Sequence, residues 1–536
     1  MWTGVEDEPW AEAVAIRDGI LLAVGSAEGV KQYRGGGTEV IDLDGRFLGP
    51  GFIDNHTHFN RAGELLLGAN LLDVADETGF VSRVREAAQR LPEGAWIVDG
   101  SWGAYEEWEE GSPGEPAEEA PEELFRPHRS MIDSVTTAHP ALLSRWDRSE
   151  YLANELALAE TGADCTWEGV ECGAGGDPTG ILSLQAAERI RELIPPKTEE
   201  QRLEEARAAL EELRSYGVTT IHDNTPPEQF SVYQALLEAG ELTTRVYARP
   251  TLDRMEAMSE LGLPRGFGGP WIELGGFKGF VDGIMGASTA MFYEPFEHTG
   301  GFGQWRDMMS PPGNLERLIR EADAHGYWPQ VHAIGDRAVD TLLTMYENVM
   351  TENEVREDRR FRVIHAQHLR DAEVAYRMAD LDVIAEMQPY HAIDDMRWME
   401  ERIGDRIRWT YAFRTLDEAG VILSFGSDWP GTHASWYPAD PLLGIYAAVT
   451  RQTLEGTPEG GWVPEERVDP ETALRAYTVN NAYAEGREGE KGRVKPGMWA
   501  DLVVLDRNPL EVPAQEIKDI VVDLTVLDGR VVHERK

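Results

Sequence analysis

The stretch Leu48-Gly-Pro-Gly-Phe-Ile-Asp-Asn-His-Thr-His-Phe59 decides how the rest of the chain is read. Apolar residues run into a His-x-His pair. The two-residue period of a strand puts His56 and His58 on one face and Thr57 on the other. Gly49, Pro50 and Gly51 give that strand a defined start. Two imidazoles side by side at a strand end can hold a borderline-soft divalent ion, zinc above all. Taken alone, such a pair is more often two unrelated surface histidines than a ligand pair. What raises the metal reading is the order in which the rest of the chain supplies further donors.

After Lys197 strand-like runs alternate with helical segments. They are Gly217-Val-Thr-Thr-Ile-His-Asp223, Thr244 to Arg249, Gly275 to Gly283, Tyr327 to Gly335, Arg362 to Gln367, Val383 to Pro389 and Val421 to Asp428. With the His56 strand they make eight, the number a parallel (β/α)8 TIM barrel requires, and in that fold chemistry sits at the C-terminal strand ends. Donors recur there: His56 and His58 in the first run, Lys278 in the fourth, His332 in the fifth, His365 in the sixth and Asp428 ending the eighth. Each alone has a plainer reading, a hydrogen-bonded core histidine or an Asp turn cap. Lys278 resists one. It stands between Phe277 and Phe280 in a chain with only seven lysines, where a bare ammonium is expensive to bury. Burial lowers an amine's pKa, and the neutral amine can react with carbon dioxide to give an anionic carbamate that bridges two metals.

The flanks read differently. Residues 1–49 hold hairpin signals around Asp18-Gly19, and 486–536 hold strands with a second such turn at Asp528-Gly529, so both ends build one small β-sandwich. That leaves 50–485 for the barrel, interrupted after its first strand by an inserted subdomain of about 72–197. Helices are expected there at Phe80 to Arg90 and Tyr151 to Thr161. The insert's Trp102, Tyr105 and Trp108 either wall a pocket or fill its core, and the same choice holds for Trp429, Trp436 and Tyr437 after the last strand.

Composition narrows the setting. Of 536 residues 42% are hydrophobic, ample for a packed core, and no apolar run reaches membrane-span length. No signal peptide opens the chain, and Cys165 and Cys172 form neither a disulfide framework nor a zinc knuckle, which fits a reduced cytoplasm. The 96 acidic and 50 basic residues leave a formal charge of −46, spread through stretches such as 106–110 and 118–123. Such a surface needs screening by salt, as in a salt-accumulating halophilic cell, and it disfavours nucleic acid and anionic membrane as partners. A small-molecule substrate is the expected partner, with a homodimer left open.

The assembled motifs resemble the amidohydrolase superfamily, and within it the YtcJ-like metal-dependent amidohydrolases that include N-substituted formamide deformylases. The resemblance rests on Pro50 to His58, Lys278-Gly-Phe-Val-Asp-Gly283 with Ser288-Thr-Ala290, His332-Ala-Ile-Gly-Asp336, His365-Ala-Gln-His368, Gln388-Pro389, Gly426-Ser-Asp428, Ala473 to Ala482 and Gly492 to Val503. It implies that His56, His58 and Asp428 hold one metal and His332 and His365 another, with carboxylated Lys278 between them. It also implies attack of a metal-activated hydroxide on a non-peptide C–N bond, with Asp428 as the catalytic acid and base. Trp102, Asp282, Gln388, His391 and Trp429 are the expected substrate contacts. The alternatives are a mononuclear deaminase, an ester or lactone hydrolase, and a barrel scaffold without catalysis. Three departures stand out. Relatives have an extra strand before the point where this chain begins. They have a Glu where Ile364 precedes His365, so a supporting carboxylate is expected to be missing. They carry Asp-Gly-His where this chain has Asp147-Arg148-Ser149.

Overall fold

The computed structural model describes every residue except 73, 75, 104–124, 357 and 433–434. Tyr105, Trp108 and both acidic stretches therefore lie outside the described residues. The chain divides into two compact units: Met1–His58 with Leu210–Trp429 and Pro438–Lys536, and Phe59–Ala209 with Pro430–Tyr437.

The first unit contains a closed parallel barrel, the TIM-barrel type of α/β fold. Its first strand, Phe52–Thr57, pairs with the second, Val218–Asp223, which pairs with the third, Arg245–Ala248. The fourth comes in two pieces. Ile272–Leu274 pairs back to the third strand, and Phe277–Phe280 pairs forward to the fifth, Pro329–Ala333. Arg362–His365, Ile384–Met387 and Leu423–Phe425 follow in order. The seam closes where Asp428 N donates to His56 O (2.9 Å) and His58 N to Trp429 O (2.8 Å). These strands are buried on both faces, as a sheet covered by helices demands. The surrounding helices begin as their sequences dictate: Asp371 caps Ala372–Asp380 through Glu373 N, and Asp440 caps Pro441–Thr450 with proline in its first turn.

The inside of this barrel departs from the usual layers of branched aliphatics. Arg249, Gln330, Arg362 and Glu386 are buried within it, each at most 1% exposed. Both Asp-Gly turns form as their sequence requires. Asp18 (φ 52°), Gly19 (77°), Asp528 (51°) and Gly529 (72°) all take the left-handed values of a two-residue hairpin turn. Phe47–Pro50 pairs with Leu502–Leu505, which continues through Val522–Leu527 to Arg530–Glu534, so both ends of the chain share one antiparallel sheet. Its apolar core includes Leu21, Leu48, Val504 and Leu524.

The second unit is built on a five-stranded mixed sheet in the order Ile97–Trp102, Ala141–Arg145, Tyr151–Ala153, Pro178–Leu182, Val170–Cys172. Two features differ from the sequence reading. Tyr151–Ala153 is a strand, and the helix starts only at Glu155, because the Asn154 side chain accepts from Ala157 N (2.9 Å) and also from Ala141 N (2.9 Å). Cys165 and Cys172 are bonded to each other, so the reading of two reduced thiols is corrected. Exposed Arg148 takes φ 60°, a left-handed value that suits glycine better than a side chain with a Cβ. Arg148→Gly is therefore expected to stabilise this unit by about 0.5–1 kcal/mol, since relief of left-handed strain exceeds the entropy a glycine loses on folding. Paired denaturation curves check it, and a less stable variant contradicts it.

Candidate metal centre

Strand geometry brings the expected donors together. His56 and His58 project from the end of the first strand. Asp54, two residues before His56, accepts from Ser427 N (3.0 Å) and Ser427 Oγ (2.5 Å), so the first strand is tied to the Gly426-Ser-Asp428 segment. Gly426 has to be glycine there, because a Cβ would lie 2.2 Å from Asn55 Oδ1 and 2.8 Å from His56 N. Asp428 Oδ1 then lies 3.4 Å from His56 Nε2 and 3.1 Å from His58 Nε2. Lys278 Nζ is 3.3 Å from His56 Nε2. The rings of His56 and His365 are 5.1 Å apart, and those of His365 and His332 are 4.6 Å apart. One donor atom from each of His56, His365 and Asp428 falls within 4.8 Å of the others. Asp428 (φ 60°) and His365 (φ 75°) hold left-handed backbone conformations, strain of the kind that collects at functional sites.

Each buried histidine has one nitrogen fixed by an acceptor, which leaves the other for a metal. His56 Nδ1 donates to Glu386 Oε1 (2.9 Å), His365 Nδ1 to Gln388 Oε1 (2.7 Å), and His332 Nε2 to Gly283 O (2.9 Å). Burial, then the Lys278 cation, lowers the His332 imidazole to about 3. Burial likewise holds His56 and His365 well below the usual histidine value. Burial alone would raise the Asp428 carboxyl, but His56, His58 and His365 around it hold it well below the carboxylate range. Neutral imidazoles facing an ionised carboxylate are the protonation states that a divalent ion needs, so this donor set fits one. Lys278 is pushed down to about 7, by burial first and Arg249 second, so neutral amine is present near neutrality.

Glu386 is the main residue that sequence reasoning missed. Buried on the seventh strand, it accepts from Arg249 Nη1 (2.7 and 3.0 Å) and Arg362 Nη1 (2.9 Å) as well as from His56. Burial pushes its carboxyl up, but Arg249, His56 and Arg362 together hold it well below the usual range. The supporting carboxylate expected to be missing at Ile364 is therefore present one strand over. Ile364 and Glu386 are direct partners in the parallel register. Charged residues inside apolar runs, Arg249, Arg362 and Glu386, were the available signal.

The expected substrate contacts divide. Gln388 and His391 lie at the centre. Gln388 Nε2 is buried without a hydrogen-bond partner among the described residues, and His391 Nε2 is 3.8 Å from Asp428 Oδ2. The other three have structural roles instead. Asp282 is committed to backbone, accepting from Ile334 N (3.0 Å), Gly335 N (2.9 Å) and Met291 N (2.7 Å). Trp429 is fully buried, and its indole N–H donates to Glu212 (3.1 Å). Trp102 packs in the core of the second unit, edge-on to Phe80.

The Amidohydrolase family model, Amidohydro_3, matches residues 39–533. The chain is 32% identical to Protein LONG AFTER FAR-RED 3 of Arabidopsis thaliana, over 95% of this chain and 86% of that one. It is 29% identical to Putative amidohydrolase YtcJ of Bacillus subtilis, over 100% and 98%. Identity to the N-substituted formamide deformylase of Arthrobacter pascens is 25%, over 98% and 95%. Among solved structures, an uncharacterized metal-dependent hydrolase from Pyrococcus horikoshii superposes with a TM-score of 0.73 at 25% identity, over 94% of this chain and 95% of that one. The chain belongs to the amidohydrolase family, as a YtcJ-like member, and is a hydrolase with a site for a divalent metal.

Proposed function

We propose that this protein hydrolyses the C–N bond of a small non-peptide amide, with N-substituted formamides the first class to try. The observation that carries the reading is the Asp428 carboxylate, ionised and within 3.4 Å of both histidines of the His-x-His pair. The formamide suggestion comes from the Arthrobacter relative. His56, His58 and Asp428 would hold one ion and His332 and His365 a second, with Lys278 between them as its carbamate. Zinc is the metal this N/O donor set favours. Bound there, a divalent metal makes its water acidic and polarises a carbonyl oxygen.

The residues themselves supply proton handling and position. Asp428 Oδ2 takes the proton of the attacking water and returns it to the departing nitrogen, which must leave as an amine. His391 Nε2 stands 3.8 Å from Asp428 Oδ2, and burial lowers its imidazole to about 4, so it sits beside that oxygen as a neutral ring. Gln388, whose amide nitrogen has no partner among the described residues, has a donor left for the substrate carbonyl. Burial of nearly the whole cluster keeps bulk water from these groups.

The test is a panel of N-substituted formamides, other amides, esters and lactones, run on zinc-loaded protein at molar salt to screen the −46 charge. Formate and amine release that chelation abolishes is the expected result. Turnover confined to esters and lactones would replace the reading with C–O hydrolysis.

A further inference from the structure

Asn224 follows the second barrel strand directly, and its N–H donates to Thr57 O (2.9 Å), which fixes it beside the His-x-His pair. Its side-chain Nδ2 lies 2.9 Å from His56 Nε2 and 3.3 Å from His58 Nε2. Its Oδ1 is buried and has no hydrogen-bond partner among the described residues. One end of the carboxamide thus faces two histidine ring nitrogens while the other end, its oxygen, is left buried and unsatisfied, which costs free energy.

Those two nitrogens are the ones a metal on the His-x-His pair would use. His56 Nδ1 carries the proton it gives to Glu386, so only Nε2 can bind a cation. A lone pair given to a cation cannot also accept from Asn224. An N–H donor facing a cation is repelled, whereas an amide oxygen is a good ligand for one. The two ends of a carboxamide have nearly the same shape, so turning it about its Cβ–Cγ bond exchanges them at little steric cost.

We propose that Asn224 is a further ligand of the metal on His56 and His58, presenting Oδ1 to the ion when it binds. The proposal rests on the reading of this cluster as a metal centre. It adds a neutral oxygen donor from the second strand to those from the first and eighth.

The test is zinc affinity by competition with a chromophoric chelator, together with the visible absorption of the cobalt(II)-loaded protein. Asn224→Leu keeps the shape and removes the oxygen, and Asn224→Asp supplies an oxygen that cannot turn into a donor. Thermal melts confirm that both variants fold. Loss of the oxygen is expected to weaken zinc binding about 10–100-fold and change the cobalt bands, while the aspartate variant binds at least as tightly as wild type. Unchanged affinity and spectrum in Asn224→Leu would overturn the proposal, as would weakened binding in Asn224→Asp. Absence of zinc binding by wild type would instead remove the metal centre, and this ligand with it.

Discussion

Asp428→Asn should fold, keep most of its metal and lose turnover by about 10²–10⁴-fold, the range for removing a general acid–base group. The carboxamide keeps an oxygen that can face His56 and His58, from which Asp428 Oδ1 now stands 3.4 and 3.1 Å away. What it lacks is a second oxygen able to accept a proton. Metal analysis beside steady-state rates separates the two roles. Near-full activity would end the assignment of Asp428 as proton carrier, and metal loss in step with activity would reduce it to a ligand.

Glu386→Ala carries the largest expected cost in stability. It strips the carboxylate from two fully buried arginines and from His56 at once. Breaking a buried ion pair by removing one partner typically costs about 3–5 kcal/mol, because the remaining charge stays buried without its counter-charge. Metal affinity should fall as well, by about 10–100-fold, since His56 loses the group that fixes its tautomer. The pH dependence follows from the depressed carboxyl. Its contribution is present above the unfolded Glu value of about 4.3 and is lost as pH falls towards the folded value, so wild type loses that increment on acidification and the variant does not. Denaturant unfolding of both proteins between neutral and acid pH checks it. A variant within 1 kcal/mol of wild type, with unchanged metal affinity, would mean that the two arginines find other partners.

The barrel and its donors were legible because each strand end carries its own signal. His56, His58, Lys278, His332, His365 and Asp428 each interrupt or end an apolar run, and strand periodicity fixes which way they point. Glu386 was not legible as a support for His56, because its role depends on lying beside Ile364 in the register of strands six and seven, with Arg249 reaching in from strand three. Such meetings across the barrel leave no trace in local sequence. Asn224 escaped for a related reason: an Asn after a strand reads as a turn residue until its neighbours are known. Trp102 and Trp429 show the opposite failure, since aromatic composition alone does not tell a pocket wall from a core. Asp282 sits in a motif with Lys278, yet backbone amides take both of its oxygens. Asn154 cut the expected helix at Tyr151 short because one side chain serves two backbone amides.

The proposed function requires that these scattered side chains share a bound cation. Anomalous diffraction at the zinc edge, from crystals grown with zinc, tests it most directly. The account predicts a peak at coordination distance, roughly 2.0–2.2 Å, from His56 Nε2, His58 Nε2 and an Asp428 oxygen. Ordered crystals with no peak among these residues would contradict it.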